Sequence, residues 1–130
     1  MSETTVQLGF TNEFEGTLTA KNGAVKVGKG EGMLAPYELL LGALGGCFYS
    51  TFLGIARKMR LAFESAAFSI HGVKREEVPT TLKTVDIVFT IRDAKGEKGF
   101  QRAAELAAKH CSVHETLSKV AEMSLRVVLE

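Results

Sequence analysis

A chain of 130 residues has room for one domain rather than two and can bury roughly two-thirds of its unfolded surface, so it needs no metal or disulfide to fold. Hydrophobic residues make up 45% and charged residues 24%, which excludes a disordered or low-complexity chain. Sixteen Lys and Arg against fifteen Asp and Glu leave a net charge of +1, too little to attract nucleic acid or an anionic membrane surface.

The first residues, Met1 to Thr5, have neither the basic stretch nor the apolar run of a secretory signal, so a cytoplasmic location is expected. Val6, Leu8 and Phe10 alternate with polar positions, and Phe14, Leu18 and Ala20 continue beyond Asn12-Glu13. That period of two predicts half-buried strands with a turn near Asn12. Asn22-Gly23 suits a type I′ turn, with Val25 and Val27 in the next strand, so the chain opens as a three-stranded meander. The loop Gly28-Lys29-Gly30-Glu31-Gly32 lacks the Lys-Ser/Thr spacing of a phosphate loop and reads as a flexible connector.

Pro36 then opens a helix. Glu38 near its start and Arg57, Lys58 and Arg60 near its end complement the helix dipole. Between them, Leu39 to Ala56 carries no charge at all, and Cys47, one of only two cysteines, sits in its middle. About eighteen apolar residues is the lower edge of a membrane span. Gly42, Gly45, Gly46 and Gly54, with Tyr49, Ser50 and Thr51, make the run poor material for one, and a buried helix of a soluble domain is the better reading. A helix roughly 35 Å long and apolar on all sides must be covered on all sides. One sheet of so small a chain cannot wrap it, so a homodimer is expected, with Gly42 and Gly46 marking a face of close approach.

Phe68 and Ile70 predict a strand to about Arg75, closed by a charged turn and Pro79. Val85, Ile87, Phe89 and Ile91 mark a strand with one buried face. After a turn at Asp93–Gly96, the positions Phe100, Ala103, Ala104, Ala107, Ala108 and Cys111 form the apolar stripe of an amphipathic helix. Ser112-Val113-His114-Glu115 reads as a capping box opening a short helix to about Ser118, and Met123, Leu125, Val127 and Leu129 make a last strand. The order βββαββααβ predicts an α+β domain over residues 1–130, with antiparallel sheets around a long buried central helix.

Two cysteines about 64 residues apart in a reducing compartment are either inert core side chains or a redox pair that opens and closes. Cys47 lies too far into its helix for the dipole to lower its pKa, and Ala43, Leu44, Ser50 and Thr51 beside it carry no cation. Anything that ionises it must come from elsewhere in the fold. Cys111 has the better local chemistry, with His110 beside it and a helix start after it. His110-Cys111-x-x-His114 offers three metal ligands without a fourth, so no metal is expected, and no cofactor is expected either.

The segment Ala35-Pro36-Tyr37-Glu38-Leu39-Leu40-Leu41-Gly42-Ala43-Leu44-Gly45-Gly46-Cys47 resembles the Pro-x-Glu-Leu-Leu-x-Ala-x-x-x-Cys helix start of the OsmC/Ohr family. The segment Ala107-Ala108-Lys109-His110-Cys111-Ser112-Val113 is similar to that family's second-cysteine region. The resemblance implies two intertwined chains with their long helices inside, and thiol-dependent reduction of organic hydroperoxides and hydrogen peroxide. On it, Cys47 would attack the peroxide and become a sulfenic acid, Cys111 would resolve it as a disulfide, and an external dithiol would reduce that disulfide. Glu38 would join the catalytic set. It stands nine residues, about 14 Å, before Cys47 and on the opposite side of the helix, so that role would run across the dimer.

Three positions depart from the pattern. Tyr37 stands where the hydroperoxide-resistance branch has a glutamate, no arginine precedes Arg57, and Ser112 replaces the proline that commonly follows the second cysteine. The missing arginine motivates a second reading, a non-peroxidatic dimer that binds a small hydrophobic ligand in its interface pocket.

Overall fold

The computed structural model describes residues 2–130. The elements follow the expected order: β1 (Gln7–Phe10), β2 (Glu15–Ala20), β3 (Gly23–Gly28), α1 (Pro36–Lys58), β4 (Ser65–Lys74), β5 (Leu82–Arg92), α2 (Phe100–His110), α3 (Ser112–Ser118) and β6 (Glu122–Leu129). The chain divides into two compact units, residues 1–40 and 41–130.

The first unit is the antiparallel sheet β1-β2-β3. Its register puts Leu8 opposite Leu18 and Leu18 opposite Val25, so Leu8, Phe10, Leu18 and Val25 share one face while Gln7, Thr17, Thr19 and Lys26 take the other. Phe10 lies over Gly16, where any Cβ would collide with its ring. The β2–β3 hairpin forms as expected but by a different turn. Ala20 pairs with Gly23, so Lys21 and Asn22 are the two central residues, and neither has the positive φ of a type I′ turn. Gly23 is used as the first residue of β3 instead.

At the start of α1, the N–H of Ala35 donates to Glu38 Oε1 at 2.7 Å. That is the back-reaching half of a capping box, with the acid in the third helical position and alanine rather than serine at the cap. The other end closes with a Schellman motif: Arg60 adopts φ 58°, its N–H reaches Arg57 O at 3.1 Å, and the N–H of Leu61 reaches Ala56 O at 2.9 Å.

The second unit is built on the sheet β4-β5-β6. Its β4–β5 pair is antiparallel, as expected. The β5–β6 pair is parallel, which the alternating patterns did not reveal, because side-chain period carries no strand direction. The α2–α3 segment supplies the long crossover that a parallel pair requires. Phe68, Ile70, Val85, Ile87, Phe89, Ile91, Leu125 and Val127 line the inner face through this register.

Against that face α1 lays the stripe Leu44, Phe48, Phe52 and Ala56, all buried and four residues apart. Phe89 is the hub of the core. It stacks on Phe68 at 4.4 Å between centroids and meets Phe52 and Phe48 edge-on at 4.8 and 5.6 Å. α2 buries Phe100, Ala103, Ala104 and Ala107, the stripe read from sequence. Gly99 caps it at φ 92°, where a Cβ would come within 2.8 Å of Leu61.

By length and composition α1 is apolar enough to cross a membrane, with a mean hydropathy of 1.7, but its Phe48 and Phe52 are core side chains here. Within the second unit the expected cover does not extend to all its sides. Ala43, Gly46, Ser50 and Gly54, on the side away from the stripe, are exposed, and a Cβ at Gly42, Gly46 or Gly54 would have no neighbour within 4 Å. Tight packing falls instead at Gly45, whose Cβ would lie 3.2 Å from Ile70.

Candidate active site

Cys47 sits one residue before the buried Phe48, on the side of α1 next to the core stripe, and is half-buried. Thr51 back-bonds to its carbonyl at 3.0 Å, an ordinary local contact within a helix. The junction of α2 and α3 faces its sulfur. Cys111 ends the stripe of α2 in an extended conformation (φ −73°, ψ 117°) and is fully buried. The chain turns there into α3, whose first N–H groups have no intrahelical partner.

Those donors are shared between the two sulfurs. The N–H of His114 donates to Cys111 Sγ at 3.4 Å, so Cys111 is the cap of α3. This corrects the capping box expected at Ser112, which is instead the first helical residue. Its hydroxyl oxygen lies 3.8 Å from Cys47 Sγ. The backbone of Val113 makes the largest contribution holding the Cys47 thiol below the ordinary thiol pKa; partial burial opposes it, and the Cys111 thiol and the side chain and backbone of Ser112 add to the lowering. Cys111 moves the other way, pushed up to about 11 first by burial and then by its hydrogen bond with Cys47, although the N–H of His114 pulls it down.

Local sequence chemistry ranked the cysteines in the opposite order. A helix start does follow Cys111, but burial outweighs the backbone of His114 and Val113 that pulls it down, while the backbone of Val113 acts most strongly on the sulfur of the neighbouring helix. At this junction the Cys47 thiol is the more acidic of the two, and burial keeps the proton on Cys111. His114 is itself held below its ordinary pKa by burial, which favours the neutral imidazole. His110 is exposed. No group of three His, Cys, Asp or Glu suited to a metal occurs among the described residues.

The structure therefore brings Cys47 and Cys111 together. Glu38 belongs to the first unit, where its carboxylate is engaged with the N–H of Ala35 at the start of α1. Ser112 and the backbone of Val113 are the participants that sequence reasoning missed. The signal available was that a helix beginning directly after a cysteine has several free N–H groups to offer, not one.

The family model for OsmC-like proteins matches residues 28–126, a span that contains both cysteines. The chain belongs to the OsmC-like family. Solved structures agree with this fold over essentially the whole chain. A hypothetical protein from Aquifex aeolicus is 25% identical, covering 100% of this chain and 99% of its own, with a TM-score of 0.85. An OsmC-like protein from Mycoplasma pneumoniae is 15% identical over 98% of this chain and 97% of its own, at 0.87. An organic hydroperoxide resistance protein from Elizabethkingia anophelis is 16% identical over 99% of both chains, at 0.76. Among curated proteins none matches. The OsmC-like fold thus holds for this chain, and its cysteine pair meets where α1 faces the α2–α3 junction.

Proposed function

We propose that this OsmC-like protein is a thiol peroxidase that reduces organic hydroperoxides, with Cys47 as the attacking residue and Cys111 as the resolving one. The observation that carries the proposal is the meeting of the two cysteines: Cys47 on α1 faces the α2–α3 junction that holds Cys111, with Ser112 Oγ 3.8 Å from Cys47 Sγ, and there the Cys47 thiol is lowered while burial raises that of Cys111.

In the first step the Cys47 thiolate attacks the terminal peroxide oxygen. An S–O bond forms and the O–O bond breaks; the alkoxide leaves with the electron pair and takes up a proton to become the alcohol. Sulfur is thereby oxidised to a sulfenic acid. Cys111 then gives up its proton and attacks that sulfur. The S–S bond forms, the S–O bond breaks, and the departing hydroxide becomes water. An external dithiol reduces the disulfide and is itself oxidised to a disulfide, restoring both thiols.

The working unit is a homodimer in this proposal. Leu8, Phe10 and Val25 on the apolar face of the first sheet are exposed, as is the small-residue side of α1, and a second copy is the occupant that matches both. Glu38 holds its own helix start in this reading, and any contact with chemistry would come through the second copy.

Titration of the reduced protein with one equivalent of cumene hydroperoxide tests the reading. Loss of both thiols, in step with peroxide, is expected. Thiols that stay inert, or a Cys47→Ser variant that consumes peroxide at the wild-type rate, would overturn it. Inert thiols together with a co-purifying hydrophobic ligand would turn the assignment to a binding protein.

A further inference from the structure

We propose that the Ser112 hydroxyl is a hydrogen-bond donor to the reacting sulfur of Cys47, so that the thiolate is held by neutral dipoles, side chain and backbone, supplied by the one short stretch from Cys111 to Val113. The inference rests on Cys47 being the reacting thiol of the proposed peroxidase.

Three observations carry it. Ser112 Oγ lies 3.8 Å from Cys47 Sγ, within reach of a sulfur hydrogen bond. Its hydroxyl has no capping work, because Cys111 already takes the N–H of His114, and it makes no bond to a preceding carbonyl, unlike Thr116 and Ser118 of the same helix. Finally, the groups that act on Cys47 come from Cys111, Ser112 and Val113, with no charged side chain among them. Cys111 is the titratable group facing it, and burial keeps that thiol protonated.

A hydroxyl has one rotatable proton and will turn it to the strongest acceptor in reach. With Cys47 as a thiol, the S–H can point to the serine oxygen. Once the sulfur ionises the bond reverses, the serine donates, and the bond becomes charge-assisted. Ser112 thus stabilises the ionised form selectively, which lowers the thiol pKa rather than merely packing against it. At the long end of the distance range, one such bond is worth about one pH unit, a tenfold change in the thiolate fraction.

The site tolerates the substitutions needed to test this. Ser112 is exposed and occupies the first helical position, where proline fits best, and the extended Cys111 before it has the conformation that a following proline requires. Ser112→Ala removes the hydroxyl, Ser112→Thr keeps it, and Ser112→Pro removes both the hydroxyl and the N–H.

The experiment follows iodoacetamide alkylation of the reduced full-length protein from pH 5 to 10, with Cys47 adducts identified by mass spectrometry. The alkylation midpoint is expected to rise by about one unit in Ser112→Ala, to rise further in Ser112→Pro, and to stay near wild type in Ser112→Thr. A Ser112→Ala profile that coincides with wild type overturns the inference. So does a Ser112→Thr profile displaced as far as Ser112→Ala. Alkylation needs no peroxide, so the expected shifts in a protein that ignores hydroperoxides would keep this bond while removing the peroxidase reading.

Discussion

Gly46→Leu tests whether the outer side of α1 is packed against a second copy, because the two possibilities give opposite signs. Gly46 lies in the helix interior, two residues after the buried Leu44 and turned away from its stripe, and a Cβ there would find no atom within 4 Å. If that side faces solvent, leucine gains helix propensity over glycine at no steric cost, about 0.8 kcal/mol. For a chain of this size the gain corresponds to a melting temperature higher by about 3 °C. If a second α1 approaches across Ala43, Gly46, Ser50 and Gly54, four added carbons must enter a contact built from small side chains. Overpacking of that kind costs about 1–3 kcal/mol or more, which exceeds the propensity gain. The proposed dimer therefore leads us to expect a lower melting temperature and a shift towards monomer on dilution. Calorimetry at several protein concentrations, with light scattering for mass, reads both, since the melting temperature of an obligate dimer depends on concentration. A rise of about 3 °C with unchanged mass would refute the packed face.

Three further outcomes follow from the site and core. In Cys111→Ser, the first equivalent of hydroperoxide should still be consumed, but no intramolecular disulfide should form; Cys47 should stop at sulfenic acid, and a second equivalent should carry it to sulfinic acid by mass spectrometry. The pH dependence should divide between the two steps. Attack by Cys47 should rise with pH and level off below the ordinary thiol value, whereas disulfide closure, which draws the proton from a thiol that burial pushes up, should keep accelerating to higher pH in quenched-flow samples. Phe89→Ala removes the ring that stacks on Phe68 and meets Phe48 and Phe52 edge-on. It should cost about 3–5 kcal/mol in urea unfolding, and a cost under about 1 kcal/mol would contradict Phe89 as the hub.

Most of the fold was legible because its elements are strongly patterned. The charge-free run of α1, the 100–111 stripe of α2 and the strict alternation of β5 each show one period clearly, and each is present where the pattern placed it. Strand direction in β6 was not legible from its alternation, although the intervening α2–α3 segment was long enough to signal a parallel crossover. The hairpin after β2 was found with the wrong turn, since Asn-Gly chemistry is only a preference and the register decides which residues lie in the loop.

The site was half legible. Both cysteines could be singled out, and Cys47 could be seen to need help from outside its own helix, but the helper could not be named. It proved to be backbone and a serine hydroxyl, and N–H groups have no letter in a sequence. The misread capping box has the same origin. Serine is the usual cap, yet a cysteine one residue earlier took the role and freed the serine for the sulfur opposite.

The separation of the two cysteines along the chain has a consequence for robustness. A bond between Cys47 and Cys111 would close a loop of about 64 residues. Confining the unfolded chain in that way is worth roughly 4 kcal/mol of lost disorder if the bond forms without distorting the fold. A peroxidase built on this pair would alternate between a tethered chain and an untethered one, and the spent form, waiting for its dithiol, would be the harder to unfold. Shortage of reductant would then leave the protein idle but protected against heat.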